Sequence, residues 1–384
     1  MFGLFGRRKN VEAPLIVVAP DKFKGTMSAR DVCAIAGRAI REIMPQATVR
    51  LCPMADGGEG TSDILGNRLG LSRQSEYVDD ALGRSRPSVY FSNNETVALD
   101  SAAVIGLWKI EEGERRPLSS SSYSLGWLVG RLIGDSAKRI YLGIGGTATV
   151  DCGAGFLQAL GARYFMVDGT EIAAPITADR LGDVFSIDFS GLNRHRLRGI
   201  LRGLADVDVP LAGMLDYAPQ KGVASHDMDF LRTGVENFRR AVDEALMPAS
   251  METPFAGAGG GLGYALGRVL GCSVEPGAEH ILGLYGIFSA EEKPRLIVTG
   301  EGCIDSQTLS GKALWTVYRE AARHNIPVLG LVGCNRLAEL PEGLDVVETE
   351  PFLRGQTLNR NRALQTLDVA ARQSLAAICA RMWG

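Results

Sequence analysis

The sequence contains few of the patterns that bind metals through histidine or cysteine. Its four histidines lie far apart, and no HExxH motif occurs. Its seven cysteines are scattered, odd in number and free of any CxxC pair. These absences argue against a zinc site and against a disulfide framework, so we expect a protein of the reducing cytoplasm.

An excess of charge of one sign and long apolar runs are also lacking. Lys and Arg together number 41 and Asp and Glu 44, which leaves a net charge of −3. Nucleic acids and anionic membranes bind concentrated positive charge, so we expect neither as the main partner. No run approaches the roughly 20 apolar residues that span a bilayer. In residues 1–12 the basic residues follow the apolar ones, the reverse of a secretory signal, and we expect a loose tail there.

Glycine, in contrast, is abundant. The 47 glycines cluster in short loops, where they allow sharp turns or a close approach of backbone to a ligand. A hydrophobic content of 46% is typical of a well-packed globular protein. A chain of 384 residues exceeds one ordinary core, so its length favours two α/β domains.

Both ends of the chain carry the pattern of a parallel α/β sheet. Residues 15–19 form a continuous apolar run typical of a buried strand, and Ser28 with Asp31 predicts a capping box that begins a helix. A strand at 48–52 completes a βαβ unit. The same order returns near the other end, with strands at 295–299 and 327–332 and helices at 311–325 and 362–381.

The middle of the chain has a different pattern. Residues 88–91 and 96–100 predict a β-hairpin across Asn93-Asn94, followed by glycine-rich turns and separate helices. We therefore predict an α/β fold with two domains. A discontinuous doubly wound domain is built from 13–66 and 284–384, and an inserted α/β domain from 67–283.

Loops after the predicted strands hold the charged residues that chemistry needs. In open α/β sheets ligands bind at the carboxyl ends of strands. Lys22 and Lys24 follow the first strand and precede a helix, where they can hold a carboxylate or a phosphate, although a solvated loop with surface lysines gives the same pattern. In the loop Asp56-Gly57-Gly58-Glu59-Gly60, Asp56 can accept a hydroxyl proton, position Mg²⁺, or cap the next helix.

Two further loops combine glycine, threonine and aspartate. In the segment 143–149, Gly145 and Gly146 free backbone N–H groups for an anion, and Thr147 and Thr149 can add hydroxyl donors. A tight structural turn explains these glycines almost as well. The second loop places Asp206 and Asp208 on the same side of an extended segment, so that both can face one Mg²⁺, or both lie in a solvated turn; it ends near Pro219-Gln220-Lys221-Gly222.

The loop after the strand at 295–299 is the most specific of the set. Glu301 and Asp305 supply an acid and a metal-ligand candidate, and Lys312 begins the next helix as a cation that can reach a phosphate. The chain has no Walker A motif. Taken alone, these loops predict an anion and metal site in an α/β enzyme, with parts that phosphoryl transfer uses.

Read together, these segments resemble the glycerate kinase family, in its D-glycerate branch without a Walker motif. The matching motifs, in family order, are VVAPDKFKG at 17–25, PMADGGEGT at 53–61, GIGGTAT at 143–149, GAGFLQALGA at 153–162, ADVDVPL at 205–211, PQKG at 219–222 and TGEGCIDSQTLSGKA at 299–313. The resemblance covers about 15–350.

The resemblance implies ATP-dependent phosphorylation of glycerate, usually with Mg²⁺, to 2-phosphoglycerate or 3-phosphoglycerate. It also implies a flavodoxin-like domain, an inserted restriction-enzyme-like domain, and an active site in the cleft between them.

The resemblance also gives the candidate residues roles. Lys22, Lys24 and Lys312 are candidates for holding the glycerate carboxylate and the ATP phosphates. Asp56 is the first candidate for orienting the attacking hydroxyl, and Asp208 is a further catalytic candidate that can orient the hydroxyl or bind the metal. The remaining candidates bind the nucleotide, at Gly145, Gly146, Thr147, Thr149 and Lys221, or the metal, at Asp206, Glu301 and Asp305.

The sequence departs from the family pattern at several motif positions. Val150 and Val209 stand where the family tends to have asparagine, Cys152 where it has glycine, and Trp127 where it has glutamate. These changes leave two alternatives open beside a glycerate kinase. One is a kinase for another small hydroxy acid, and the other is a degenerate relative that binds its ligands without turnover.

Overall fold

The computed structural model describes residues 13–134, 136–247, 252–305, 308, 311–353 and 359–383. The chain divides into two compact units. The first comprises Met1–Pro53, Tyr285–Ser306 and Leu314–Gly384, and the second Met54–Leu284 and Gln307–Ala313. Residues 54–66, which we expected in the first domain, lie in the second unit because their helix packs on strands of that unit.

The described residues form the following strands and helices. The strands are β1 Leu15–Val18, β2 Thr48–Leu51, β3 Ser72–Asp79, β4 Ser85–Ser92, β5 Thr96–Asp100, β6 Arg139–Gly143, β7 Arg163–Phe165, β8 Ser186–Asp188, β9 Leu201–Ala205, β10 Ser273–Pro276, β11 Leu296–Ile304, β12 Val328–Asn335 and β13 Leu344–Glu348. The helices are α1 Ala29–Ile43, α2 Thr61–Arg68, α3 Ser101–Ile105, α4 Tyr123–Gly134, α5 Ala154–Ala159, α6 Arg194–Ile200, α7 Ala218–Lys221, α8 Met228–Leu246, α9 Ala258–Tyr264, α10 Gly277–Tyr285, α11 Ala313–Arg323 and α12 Arg360–Trp383.

The first unit is built on a parallel sheet with the order β13-β12-β11-β1-β2. Renumbered within this sheet, the order is 2-1-3-4-5, that of flavodoxin-like doubly wound folds. All four residues of β1 are buried, as the apolar run predicts. The capping box of Ser28 and Asp31 is confirmed at the start of α1. Helices α1 and α12 pack together over one core cluster.

The second unit is built on a mixed sheet with the order β10-β9-β6-β5-β4-β3. Strands β4 and β5 pair antiparallel, which confirms the predicted hairpin, and β3 pairs antiparallel with β4. Strands β5, β6, β9 and β10 run parallel to one another, so their carboxyl ends lie at the same edge of the sheet. A large apolar core lies between this sheet and its helices. The predicted α/β class is confirmed.

Two further observations concern membrane-spanning helices and disulfide bonds. Within the ranges given above, no helix has the length and apolar character of a membrane span. The scattered cysteines argued against a disulfide framework, but the structure contains one disulfide within the described residues, between Cys303 and Cys334. The two cysteines are far apart in sequence, but the register of β11 and β12 places them directly opposite each other.

Candidate active site

In the first unit, two of the predicted loops meet at the point where the strand order reverses. Strands β1 and β11 are neighbours there, and the loop that follows β1 is hydrogen-bonded to the carboxyl-terminal half of β11. The Asp21 N–H donates to the carbonyl of Gly300 (2.8 Å), and the Thr299 hydroxyl donates to the carbonyl of Ala19 (2.8 Å). Ligands of doubly wound sheets bind at this reversal, so the loop geometry agrees with a binding role.

The candidate side chains of the first unit differ in exposure. Lys24 is exposed, Lys22 and Asp305 are half-buried, and Glu301 is buried. The carboxylate of Asp21 accepts a hydrogen bond from the Lys22 N–H (2.6 Å), which fixes the backbone that carries both lysines. Elsewhere in the chain, Lys312 is half-buried and directly precedes α11.

In the second unit, the Asp56–Gly60 loop lies against the carboxyl edge of the parallel strands. The carbonyl of Gly57 accepts from the Gly145 N–H (3.1 Å), and a Cβ at Gly57 would lie 2.7 Å from the backbone of Ala205. Only glycine permits this approach, since the φ of Gly57 is also +103°. The loop therefore joins the ends of β6 and β9.

Asp100 holds the other end of this loop. Its carboxylate accepts hydrogen bonds from the Gly60 N–H (2.9 Å), the Ser62 N–H (2.8 Å) and the Ser62 hydroxyl (2.9 Å). It thus caps the N-terminus of α2 from a neighbouring strand. Sequence analysis missed this residue, although a buried aspartate at the end of an apolar strand was a visible signal.

The three aspartates of the predicted loops have different surroundings. Asp56 is half-buried, and its Oδ1 accepts from the Gly58 N–H (3.0 Å), which shapes the glycine turn. Asp208 is exposed and accepts from the Phe255 N–H (2.9 Å). Asp206 is half-buried at the end of β9, and a Cβ at Gly145 would lie 2.7 Å from its Oδ2. Asp206 is therefore the carboxylate at the centre of the glycine loops.

Lys221 lies behind the glycine loop 143–149. It is 7% exposed, and its Nζ donates to the Thr147 hydroxyl (3.1 Å) and to the Thr149 carbonyl (2.8 Å). Burial lowers the pKa of Lys221 to about 8, against the charge of Asp206, which raises it. Buried lysines of this kind are costly, so they are candidates for function.

We expected Thr147 and Thr149 to add hydroxyl donors to an open anion-binding loop, but their surroundings are different. Thr147 and Thr149 are buried, and the Thr147 hydroxyl faces Lys221. Gly146, in contrast, is exposed, with a φ of +76°. The part of this loop that is open to a phosphate is therefore its glycine tip.

Three consecutive glycines of α9 cover this loop from the other side. Gly259, Gly260 and Gly261 have φ values of +64°, +69° and +92°, so they interrupt the helix. A Cβ at Gly260 would lie 1.9 Å from the Thr149 carbonyl and 3.0 Å from the Nζ of Lys221. This glycine stretch, which sequence analysis left ambiguous, is thus a packing element of the site.

We expect Gly260→Ala to lower the free energy of unfolding by about 3 kcal/mol or more, because it adds a backbone clash to the cost of a left-handed conformation. The matched control is Gly169→Ala, where φ is +81° and nothing lies within 4 Å of the added Cβ. There we expect about 1–2 kcal/mol. Urea denaturation measures both values, and equal losses would contradict the proposed contact.

Asp151 is a second buried acid that the predicted site residues omit. It is fully buried, and it accepts from the Ser122 hydroxyl (2.7 Å) and from the N–H groups of Ser122, Gly153 and Gly155. Burial raises its pKa. Since these donors lie at the starts of α4 and α5, Asp151 ties the two helices to the glycine loop.

The site residues thus fall into two groups, one in each unit. In neither group, as far as the structure describes the chain, do three or more Asp, Glu, His or Cys side chains assemble into a metal cluster. Among the metal candidates, Asp206 lies in the second unit, whereas Glu301 and Asp305 lie in the first.

Comparison with known proteins decides the family. The family model described as "Glycerate kinase family" matches residues 16–373. The chain belongs to the glycerate kinase family. The resemblance inferred from the motifs is confirmed.

Relatives in this family match over most of their length. A glycerate kinase of Bacillus subtilis (strain 168) is 35% identical over 325 residues, which cover 83% of this chain and 84% of that protein. A glycerate 2-kinase of Escherichia coli (strain K12) is 32% identical and covers 83% and 85%. A crystal structure from Salmonella typhimurium LT2, assigned as glycerate kinase 2, has a TM-score of 0.78 and 30% identity and covers 96% of this chain and 99% of that chain.

Proposed function

We propose that this protein is an ATP-dependent kinase that phosphorylates D-glycerate to 2-phosphoglycerate. The observation that carries the proposal is the grouping of Asp206, Gly145 and Lys221 at the carboxyl edge of the second unit's sheet. Cations, glycine backbone and a carboxylate are the parts that phosphoryl transfer needs, because catalysis there is mostly positioning and electrostatics. A relative named glycerate 2-kinase favours the 2-phospho product over the 3-phospho product.

The proposed roles follow from exposure and contacts. The exposed backbone at Gly146 receives the phosphates of ATP, and the ammonium of Lys221 supplies positive charge behind that loop. Asp56 orients the glycerate hydroxyl and accepts its proton as the oxygen attacks the γ-phosphorus. Lys22, Lys24 and Lys312 stay predicted cations for the carboxylate and the phosphates.

Mg²⁺ usually binds to one or two protein carboxylates, to substrate phosphates and to waters, so a cluster of three protein ligands is not required. The half-buried carboxylate of Asp206 fits this need and would hold the ion, and Glu301 and Asp305 stay predicted ligands. When bound, Mg²⁺ would offset charge on the phosphoryl oxygens.

Two of the four family departures fall in packed positions. Val150 and Cys152 are fully buried in the core of the second unit. Trp127 is 47% exposed on α4. Since Val150 and Cys152 have no open surface for a ligand to contact, we favour an active enzyme over a degenerate relative.

A coupled ADP-release assay with purified protein, ATP, Mg²⁺, D-glycerate and a panel of small hydroxy acids tests the function. We expect turnover with D-glycerate, and nuclear magnetic resonance of the product should place the phosphate on the 2-oxygen. Turnover only with another acid would replace the substrate in this proposal. Nucleotide binding without any turnover would refute it.

Lys221 should give the reaction an upper pH limit. The protonated ammonium is the form that attracts phosphate, so we expect kcat/KM to fall as pH rises through about 8, where Lys221 loses its proton. Arginine stays protonated throughout this range. The remaining activity of Lys221→Arg should therefore lack the fall near pH 8, and an identical fall in both proteins would exclude Lys221 as its source.

A further inference from the structure

The disulfide of the first unit lies within the most specific sequence motif. Cys303 on β11 and Cys334 on β12 are directly opposite in a parallel register, with Cα atoms 4.7 Å apart. This separation is within the range of disulfides and equals the normal spacing of neighbouring strands. The sheet therefore holds the two sulfur atoms within bonding reach in its ordinary geometry.

The neighbouring residues permit this pairing. Each cysteine follows a glycine, in Gly302-Cys303 and Gly333-Cys334. A Cβ at Gly333 would lie 2.1 Å from the carbonyl oxygen of Gly302, so no side chain fits between the strands beside the cysteines. The same dipeptide on both strands, in register, makes the pair a built feature of this sheet.

The pair also differs from four cysteines elsewhere in the described part of the chain. Cys33, Cys52, Cys152 and Cys272 are buried and take no part in a disulfide. Burial raises the pKa of Cys272 to about 12 and also raises the thiol pKa values of Cys33 and Cys152. Such thiols react slowly with oxidants. Cys303 and Cys334 are half-buried, so a small reagent can reach them.

The position of the bond connects it to the candidate site. Cys303 lies two residues after Glu301, hence on the same face of β11, and two residues before Asp305. Beyond the bond the strands are joined by a hydrogen bond from the Arg336 N–H to the Ile304 carbonyl (2.8 Å). The disulfide thus closes the carboxyl ends of β11 and β12, where the predicted phosphate and metal residues begin.

We propose that Cys303 and Cys334 are a redox modification site, a reversible disulfide that regulates the kinase by fixing the Glu301 segment. The oxidant is a disulfide compound such as oxidised glutathione. One thiolate attacks a sulfur of that disulfide and releases one thiol. The second thiolate then displaces the other half, so that two cysteine thiols are oxidised and two reagent thiols form.

The first test does not depend on activity. The native full chain is reduced, or oxidised with excess oxidised glutathione, then treated with iodoacetamide and weighed by mass spectrometry. We expect adducts on Cys303 and Cys334 in the reduced protein, no adduct on either in the oxidised protein, and a crosslinked peptide pair containing Cys303 and Cys334. Cys303→Ser and Cys334→Ser should each give an adduct on the remaining cysteine of the pair in the reduced state and no crosslink. Absence of the crosslink in the oxidised wild type would overturn the proposal.

The second test addresses regulation. Hydrogen exchange of the amides in 300–304 and 332–335 should be at least tenfold faster in the reduced protein. Turnover should differ at least threefold between the two states of the wild type and not between the same treatments of Cys303→Ser. This turnover arm rests on the proposed function, whereas crosslinking and exchange do not. A crosslink that changes neither exchange nor turnover would refute the regulatory role.

Discussion

Replacing Lys221 with methionine is expected to lower kcat at least about 100-fold while the free energy of unfolding stays within about 1 kcal/mol of wild type. The activity falls because the site loses its buried cation. The stability hardly changes because two effects oppose each other. Methionine removes the cost of burying an ammonium, but it leaves the Thr147 hydroxyl and the Thr149 carbonyl without their donor.

The lowered pKa of Lys221 determines how the stability effect of Lys221→Met changes with pH. Burial places the folded-state pKa of Lys221 at about 8, below the ordinary lysine value of 10.5, so the unfolded chain binds this proton more tightly. The resulting penalty is fully present below pH 8 and disappears above pH 10.5. Methionine should therefore help stability most at neutral pH.

Lys109 provides a matched control for this variant. Lys109 is half-buried, its pKa is also lowered by burial, and its Nζ donates to the Pro87 carbonyl (3.0 Å) and the Ser88 hydroxyl (3.2 Å). We expect Lys109→Met to change stability by a similar amount and kcat by less than about threefold. Steady-state kinetics and urea denaturation measure both variants. Equal losses of kcat would mean that Lys221 has no special role.

Asp206→Asn is expected to lower kcat on the order of 1,000-fold, since it removes the carboxylate at the centre of the glycine loops while keeping its shape. The pH limit of the remaining activity should also move down, because the charge of Asp206 raises the pKa of Lys221. Asp206→Asn thus removes both the proposed Mg²⁺ ligand and the negative charge that acts on Lys221.

The comparison variant is Asp208→Asn. The exposed Asp208 accepts from the Phe255 N–H, and asparagine keeps an oxygen for that bond. We expect a loss of less than about tenfold, measured by initial rates at saturating ATP. If Asp208→Asn lowered kcat more than Asp206→Asn does, Asp208 would have the role that we propose for Asp206.

Much of the fold follows from local patterns that the sequence displays. The buried run of β1, the capping box of α1 and the hairpin of β4 and β5 are short-range features, and each was predictable. The boundary near residue 66 was not, because the place of α2 is decided by Asp100, a distant residue that caps it. Boundaries of this kind depend on tertiary contacts.

In the candidate site too, some features follow from local sequence patterns and others depend on tertiary contacts. The charged loops were visible because they follow apolar strands. The burial of Lys221 was not visible, since a lysine in PQKG has no local sign that a glycine stretch near residue 260 will cover it. The disulfide was missed for a similar reason, because cysteine spacing in sequence says nothing about strand register.

The strand order of the first unit also constrains how the protein is made. Strand β1 lies between β2 and β11, and the bonded pair Ala19 and Thr299 is separated by 280 residues. At roughly 5–20 residues per second, a ribosome needs roughly 14–56 s to supply that partner. During this interval the early βαβ segment lacks three of the five strands of its sheet, whereas the contiguous stretch Met54–Leu284, most of the second unit, has already been synthesised. The early segment would then be the natural target for chaperones during translation.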